Sequence, residues 1–105
     1  MEDIEIPEKC LGVVIPVYNE EKTLHVIVER VLARPEVGEL VIVNDCSSDG
    51  TWQKMQDLAE TDDRICIFTH EINQGKGAAL RTGFKEVKSE IVIIQDADLE
   101  YDPDE

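Results

Sequence analysis

The sequence predicts an α/β fold, a four-stranded parallel sheet with three crossover helices in the order βαβαβαβ. Three observations carry this expectation. Four short apolar runs, at 10–17, 39–44, 65–69 and 91–95, lack the polar–apolar alternation of a half-exposed strand. Uninterrupted runs of that length are the habit of strands covered on both faces. Between the runs, apolar residues recur at helical spacing. Finally, a polar cluster follows every strand, while the opposite connections (34–38, 61–64, 88–90) are plain turn-and-charge sequence. In a parallel sheet with right-handed crossovers all strand ends share one edge, so the four clusters should form one composite site there.

Taken in order, Met1 to Lys9 is a polar lead-in containing Pro7. Cys10 to Val17 is the first buried strand, ending near Pro16, because proline has no N–H to give to a ladder. Asn19 is expected to cap the first helix, with Glu20 and Glu21 in its first turn favoured by the helix dipole. Leu24, Ile27, Val28 and Val31 mark its buried face, and Arg34-Pro35 closes it. Glu39 to Asn44 is the second strand; Trp52, Met55 and Ala59 stripe the helix after it. Ile65 to Thr69 is the third strand, and Leu80, Phe84 and Val87 stripe the third helix. Ile91 to Gln95, opening on four consecutive apolar residues, is the fourth strand and is expected to be buried on both faces.

A chain of 105 residues holds one small domain. Its formal charge of −14 argues against nucleic acid or an anionic membrane surface as partner. A nucleotide is still compatible, since a divalent ion inverts the local sign. Cys10, Cys46 and Cys66 have no CxxC spacing, and Cys10 and Cys66 stand in apolar runs as small hydrophobes. This usage fits a reducing compartment and speaks against a zinc site. The sequence has no basic-apolar leader and no apolar run long enough to span a membrane, so a cytoplasmic location is expected.

The clusters suggest chemistry. Asp96 and Asp98 emerge where the fourth strand stops, and two carboxylates one residue apart can hold a hard cation, leaving positions for water and phosphate. A solvated acidic turn is the plain alternative. Asp45 follows a buried strand and can accept hydrogen bonds from a base or ribose, with Asp49 capping the next helix. Tyr18 can stack on a base or merely line its turn, and Glu20 can contact a nucleoside or compensate the helix dipole. Gly75-Lys76-Gly77 is no Walker motif, because His70 and Gly77 stand where Gly and Ser or Thr are needed. The loop nevertheless opens a helix, so Lys76 and free N–H groups can face a phosphate. An EF-hand is excluded by Tyr101 at the glycine position.

Four stretches in this order resemble the nucleotide-sugar-binding half of family 2 glycosyltransferases, of GT-A fold, and most closely the dolichyl/polyprenyl-phosphate sugar synthase type. They are Val14 to Glu20, Val41 to Thr51, Asn73 to Ala79 and Gln95 to Pro103. The resemblance implies a truncated Rossmann-like (GT-A) sheet across residues 1–105. It implies that Pro16, Tyr18 and Glu20 border the nucleoside and that Val43 and Asp45 hold the base. Lys76, Asp96 and Ala97 complete the nucleotide-binding set. Asp96 and Asp98 become a DxD pair for Mg²⁺ or Mn²⁺, with Glu100 as a further metal contact. Two positions depart from the family pattern: Asn44 replaces an Asp and Cys46 a Gly.

The activity so implied is inverting, metal-dependent transfer of a sugar from UDP or GDP to an acceptor such as polyprenyl or dolichyl phosphate. The full-length protein would work at the cytoplasmic face of a membrane. The acceptor half and the catalytic base are expected beyond Glu105, so these residues should bind nucleotide without turning over. In the family's strand order the fourth strand is left at an edge, which suggests a homodimer. Two alternatives stand beside this one. One is a non-catalytic nucleotide-binding module. The other is a metal-dependent phosphatase, although haloacid-dehalogenase-type enzymes have Thr or Val where this chain has Glu100.

Overall fold

The computed structural model describes residues 10–97; Asp98 and Glu100 lie outside the described residues. The elements alternate as β1 (Leu11–Val17), α1 (Leu24–Leu32), β2 (Val37–Asn44), α2 (Thr51–Ala59), β3 (Ile65–Thr69), α3 (Lys76–Glu86) and β4 (Ile91–Ile94). The strands form one parallel sheet in the order β3-β2-β1-β4. All seven residues of β1 are buried, as a central strand requires. Leu11, Val13, Ile15 and Val17 pack with Leu24, Ile27, Val28 and Val31 of α1 and Met55 of α2. Val14, Val41 and Val43 face the other way and pack with Ala79 of α3. Helices thus cover both sides of the sheet centre, the layering expected of alternating βα units.

β4 stands at the edge of the sheet, as the family's strand order implied, so its burial differs from what its apolar run suggested. β4 is not buried on both faces: Ile91, Ile93 and Ile94 are 44–49% exposed. Its only strand neighbour among the described residues is β1, and α3 lies over β1 and β2 rather than over β4. For the same reason Cys66, in the other edge strand, is exposed rather than packed. The apolar run predicted the strand correctly; cover depends on strand order, which a run does not encode.

Three local expectations are also corrected. Asn19 does not cap α1, which begins only at Leu24 after a turn in which the Leu24 N–H donates to Glu20 C=O (2.9 Å). Asn19 instead has φ 54°, a left-handed conformation that asparagine tolerates better than most residues. Glu20 and Glu21 accordingly precede the helix rather than fill its first turn. In α3 the buried residues are Ala78, Ala79 and Gly83, while Phe84 is exposed and Val87 falls after the helix. A Cβ at Gly83 would collide with Val14 Cγ1, so this helix approaches the sheet through its small residues.

Pro16 lies inside β1, one residue before its end, and helps to shape the functional edge. Gln95 N–H donates to Val14 C=O (3.0 Å). The next backbone group on that side of β1 belongs to Pro16, which has no N–H to return, so the ladder with β4 stops there. The chain leaves the sheet at that point and carries Asp96 to the strand-end rim.

Candidate functional site

The carboxyl ends of the strands surround a cleft of about 300 Å³. Pro16, Val17, Tyr18 and Glu20 line it from the end of β1, and Asp45 from the end of β2. Lys76 and Ala79 belong to the first turns of α3, and Asp96 follows β4. Six residues expected at the site from sequence therefore meet in one place: Pro16, Tyr18, Glu20, Asp45, Lys76 and Asp96. Val43 does not line the cleft; its side chain is wholly buried under α3. Ala97 is buried as well, and its carbonyl lies 3.5 Å from the Thr23 hydroxyl that donates to it.

Asp45 is the most constrained of these groups. Its Oδ1 accepts from Gln74 N–H (2.8 Å) and faces His70 Nδ1 (2.9 Å), and its Oδ2 accepts from Gly75 N–H (2.7 Å). Burial pushes this carboxyl upward, but the hydrogen bonds from Gln74, His70 and Gly75 outweigh it, and the net pKa is below the ordinary value. Asn73 adds a bond from Nδ2 to Asp45 C=O (3.3 Å). One residue, through its carboxylate and its backbone carbonyl, thereby ties the 73–75 loop to the end of β2. Gly75, with φ 94°, then turns the chain into α3.

A second network ties the β1 and β2 loops together. Asn19 N–H donates to Ser47 Oγ (2.9 Å), and Asn19 Oδ1 accepts from Ser48 N–H (2.8 Å) and Asp49 N–H (3.3 Å). Glu20 N–H donates to Thr51 Oγ1 (2.8 Å). Gly50 rather than Asp49 is the N-cap of α2; Asp49 stands one residue earlier, and its Oδ1 accepts from Thr51 N–H (3.0 Å). Asn44 accepts from Ser47 N–H and donates to Thr69 Oγ1. Tyr18 is thus flanked by anchored residues while its ring stays half exposed at the cleft. Cys46 has φ 60°, so this turn requires the left-handed conformation that glycine adopts without strain. Here a cysteine adopts it, with Sγ donating to Glu71 C=O (3.4 Å).

Charge at the mouth of the cleft is balanced by Lys76 Nζ and Asp96 Oδ2, 3.1 Å apart and both more than half exposed. An exposed pair of this kind contributes little to stability, and both groups can be turned toward a ligand. Among the described residues no three potential metal ligands cluster; of the expected set only Asp96 is described. Sequence reasoning assigned no role to His70, Asn73 or Thr82 and gave Asn19 only a helix cap, yet all four hold the site in shape. A histidine closing an otherwise apolar strand was the available signal for the first of them.

The family model for glycosyl transferase family 2 matches residues 12–105. An undecaprenyl-phosphate 4-deoxy-4-formamido-L-arabinose transferase of Pectobacterium carotovorum is 37% identical over 103 residues, covering 92% of this chain and 31% of that protein. The transferase of the same name from Photorhabdus laumondii is 36% identical over 102 residues, with the same coverage. The chain therefore spans about a third of the length of these curated relatives. Among solved structures, the mannosyltransferase PcManGT of Pyrobaculum calidifontis, in complex with GDP-Man and Mn²⁺, superposes with a TM-score of 0.76 at 26% identity. That match covers 92% of this chain and 31% of that one. S. aureus TarS 1–349 in complex with UDP-GlcNAc gives 0.74 at 27% identity, covering 84% and 26%. Among the described residues no helix is long and apolar enough to cross a membrane.

Proposed function

Because the chain belongs to glycosyltransferase family 2, we propose that it is the nucleotide-sugar-binding part of an inverting, metal-dependent transferase whose acceptor is a polyprenyl phosphate. The observation that carries this reading is the convergence of Tyr18, Glu20, Asp45, Lys76 and Asp96, from three separate loops and a helix start, on one cleft. Family membership leaves the phosphatase alternative without support. The polyprenyl-phosphate relatives support the acceptor class, and the GDP-Man and UDP-GlcNAc complexes of the neighbours support a UDP- or GDP-linked donor. The active protein would work at the cytoplasmic face of a membrane.

In this reading Tyr18 offers an aromatic face to the base, Pro16 and Val17 form the apolar floor, and Asp45 offers the base edge a fixed carboxylate. The diphosphate lies toward the N-terminus of α3, where unpaired N–H groups and the Lys76 ammonium attract anions. Asp96 suits a hard divalent ion: it supplies oxygen donors, reaches the cleft and is exposed enough to release Lys76. Asp96, Asp98 and Glu100 would hold Mg²⁺ or Mn²⁺. That ion, as a Lewis acid, would neutralise the charge that grows on the leaving nucleoside diphosphate. The carboxylates of the cleft are committed to the nucleotide and metal side, so sugar transfer draws its general base from elsewhere in the protein.

Thermal unfolding tests the binding claim. A ligand present at a hundredfold excess over its Kd stabilises the folded state by about 2.7 kcal/mol. UDP or GDP with Mn²⁺ should therefore raise Tm by on the order of 10 °C, and by much less in EDTA. Equal shifts with and without the metal would remove the metal bridge from the proposal. These 105 residues, given labelled UDP- or GDP-sugar and a polyprenyl phosphate, should bind without transferring.

The exposed isoleucines of β4 support a homodimer in which the β4 edge of one copy pairs with that of another. Light scattering that finds only monomer at high protein concentration would overturn it.

A further inference from the structure

We infer that His70 is a positioning residue for nucleoside recognition, holding the Asp45 carboxylate at a fixed orientation and joining it to the helix that carries Lys76. This rests on the nucleotide-binding reading given above. An ionised carboxylate has about four lone-pair positions. In Asp45, Oδ1 spends two on Gln74 N–H and His70, and Oδ2 spends one on Gly75 N–H. The position left over belongs to Oδ2, on a residue that lines the cleft. The protein therefore presents one acceptor, in one direction, to whatever base enters.

His70 is well placed to hold that direction. Its side chain is only 10% exposed, and both ring nitrogens are engaged: Nδ1 with Asp45 Oδ1 at 2.9 Å and Nε2 with Thr82 Oγ1 at 2.8 Å. A carboxylate that stays ionised can only accept, so Nδ1 carries a proton. In the neutral ring the Thr82 hydroxyl then donates to Nε2, and the imidazole cannot rotate without breaking both bonds. Thr82 lies in α3, whose first turn carries Lys76. The chain Asp45–His70–Thr82 thus spans the ends of β2 and β3 and the body of α3. It keeps the acceptor for the base in register with the helix start that faces the phosphates.

A histidine that is merely packed and satisfied would have the same contacts, so the test must separate base recognition from folding. Binding of UDP, GDP, CDP, ADP and inorganic diphosphate is titrated with Mn²⁺ for the wild type and for His70→Ala, His70→Asn and Thr82→Val. Asn retains a donor near the position of Nδ1. Removal of a hydrogen bond to a charged group predicts that H70A weakens the preferred nucleoside diphosphate by about tenfold or more. Its preference over the other bases should narrow, and inorganic diphosphate should bind as before. H70N should recover most of the loss, and T82V should show a smaller loss of the same base-selective kind.

Unchanged nucleotide affinity in H70A overturns the inference. So does an equal loss for nucleotides and inorganic diphosphate, which is the signature of a purely structural role. If H70A does not fold, H70N and T82V decide by the same selectivity criterion. A wild-type protein that binds no nucleoside diphosphate refutes the underlying site reading instead, a result distinct from failure of the His70 variants alone.

Discussion

The two rims of this sheet use the same chemistry to different ends. On the rim away from the cleft, the Glu39 carboxylate accepts from Lys88 N–H, Ser89 N–H and Ser89 Oγ at 2.7–3.0 Å, clasping the start of β4 to β2. Arg64 nearby donates to Asp62 (2.7 Å), to Val37 C=O (3.1 Å) and to Leu32 C=O (3.4 Å). On the cleft rim, Asp45 takes backbone N–H groups much as Glu39 does, and each lines a depression, of about 300 Å³ at Asp45 and about 340 Å³ at Glu39. The difference lies in what surrounds the carboxylate. The far rim pairs its charges within rigid clasps, while the cleft rim collects groups from several loops and leaves Lys76 and Asp96 in solvent. Polar side chains at a strand end are thus poor evidence of function on their own. The informative feature is a half-exposed aromatic ring, a helix start and solvent-facing charges gathered in one depression.

The largest effect should come from breaking the one residue that is both clasp and site. Asp45→Ala removes the acceptor of the part-buried N–H groups of Gln74 and Gly75 and of the largely buried His70 ring. Each unsatisfied buried donor costs about 1–3 kcal/mol. A loss of roughly 3 kcal/mol in urea unfolding is expected, together with loss of nucleotide binding. The matching far-rim variant, Glu39→Ala, should cost less, about 1–2 kcal/mol, because Lys88 is exposed and water can replace part of the clasp. Its affinity for nucleotide should not change. If Glu39→Ala weakened nucleotide binding as much as Asp45→Ala, the functional contrast between the rims would collapse.

Much of this arrangement was legible in the sequence. Gathering Tyr18, Asp45, Lys76 and Asp96 follows from topology, since parallel strands deliver their ends to one edge whatever the side-chain detail. The buried face of α1 was legible because a wide apolar stripe admits few alternatives. What the sequence hid depends on neighbours. The run Ile91 to Ile94 resembles Val13 to Val17 in composition, and only the family's strand order, not the run itself, marks one as edge and the other as centre. The burial of Gly83 depends on where Val14 stands, and an apolarity pattern assigns a glycine to no face. Asn19 has the right chemistry for a cap, but its left-handed backbone put that chemistry to use across 29 residues of chain.

A smaller effect is expected from the Asp62–Arg64 clasp, through pH. Hydrogen bonds from the Arg64 side chain and backbone hold the Asp62 carboxyl at about 2, against an ordinary 3.8. A depressed folded-state pKa stabilises above the unfolded value, and that stability is lost as pH falls through the folded one. The contribution should therefore be complete at neutral pH and disappear between about pH 4 and pH 2. The partial exposure of both side chains reduces it to about 1 kcal/mol. Asp62→Asn should lower stability by that amount at pH 7 and flatten the acid limb of the profile. An unchanged acid limb would mean that the clasp is as loose as the cleft pair.

The smallest effect on stability, and the sharpest test of the contrast, belongs to Lys76. The pair with Asp96 is solvent-exposed on both sides, and pairs of that kind contribute about 0–1 kcal/mol. Lys76→Met keeps most of the aliphatic length and removes the charge, so its Tm should match that of the wild type to within a few degrees. In the absence of ligand the substitution even relieves nothing that is buried, since no clasp depends on the ammonium. Nucleotide binding should respond quite differently. If the diphosphate sits at the start of α3, the ammonium is its nearest protein cation, and a lost charge-assisted bond is worth about 1.5–3 kcal/mol. That corresponds to a fall in affinity of roughly tenfold or more. Uridine or guanosine, which lack the diphosphate, should bind equally to both proteins. A Lys76→Met protein that binds nucleoside diphosphate as tightly as the wild type would move the phosphates away from α3. Lys76 would then rank with the far-rim residues, as a partner for Asp96 and nothing more.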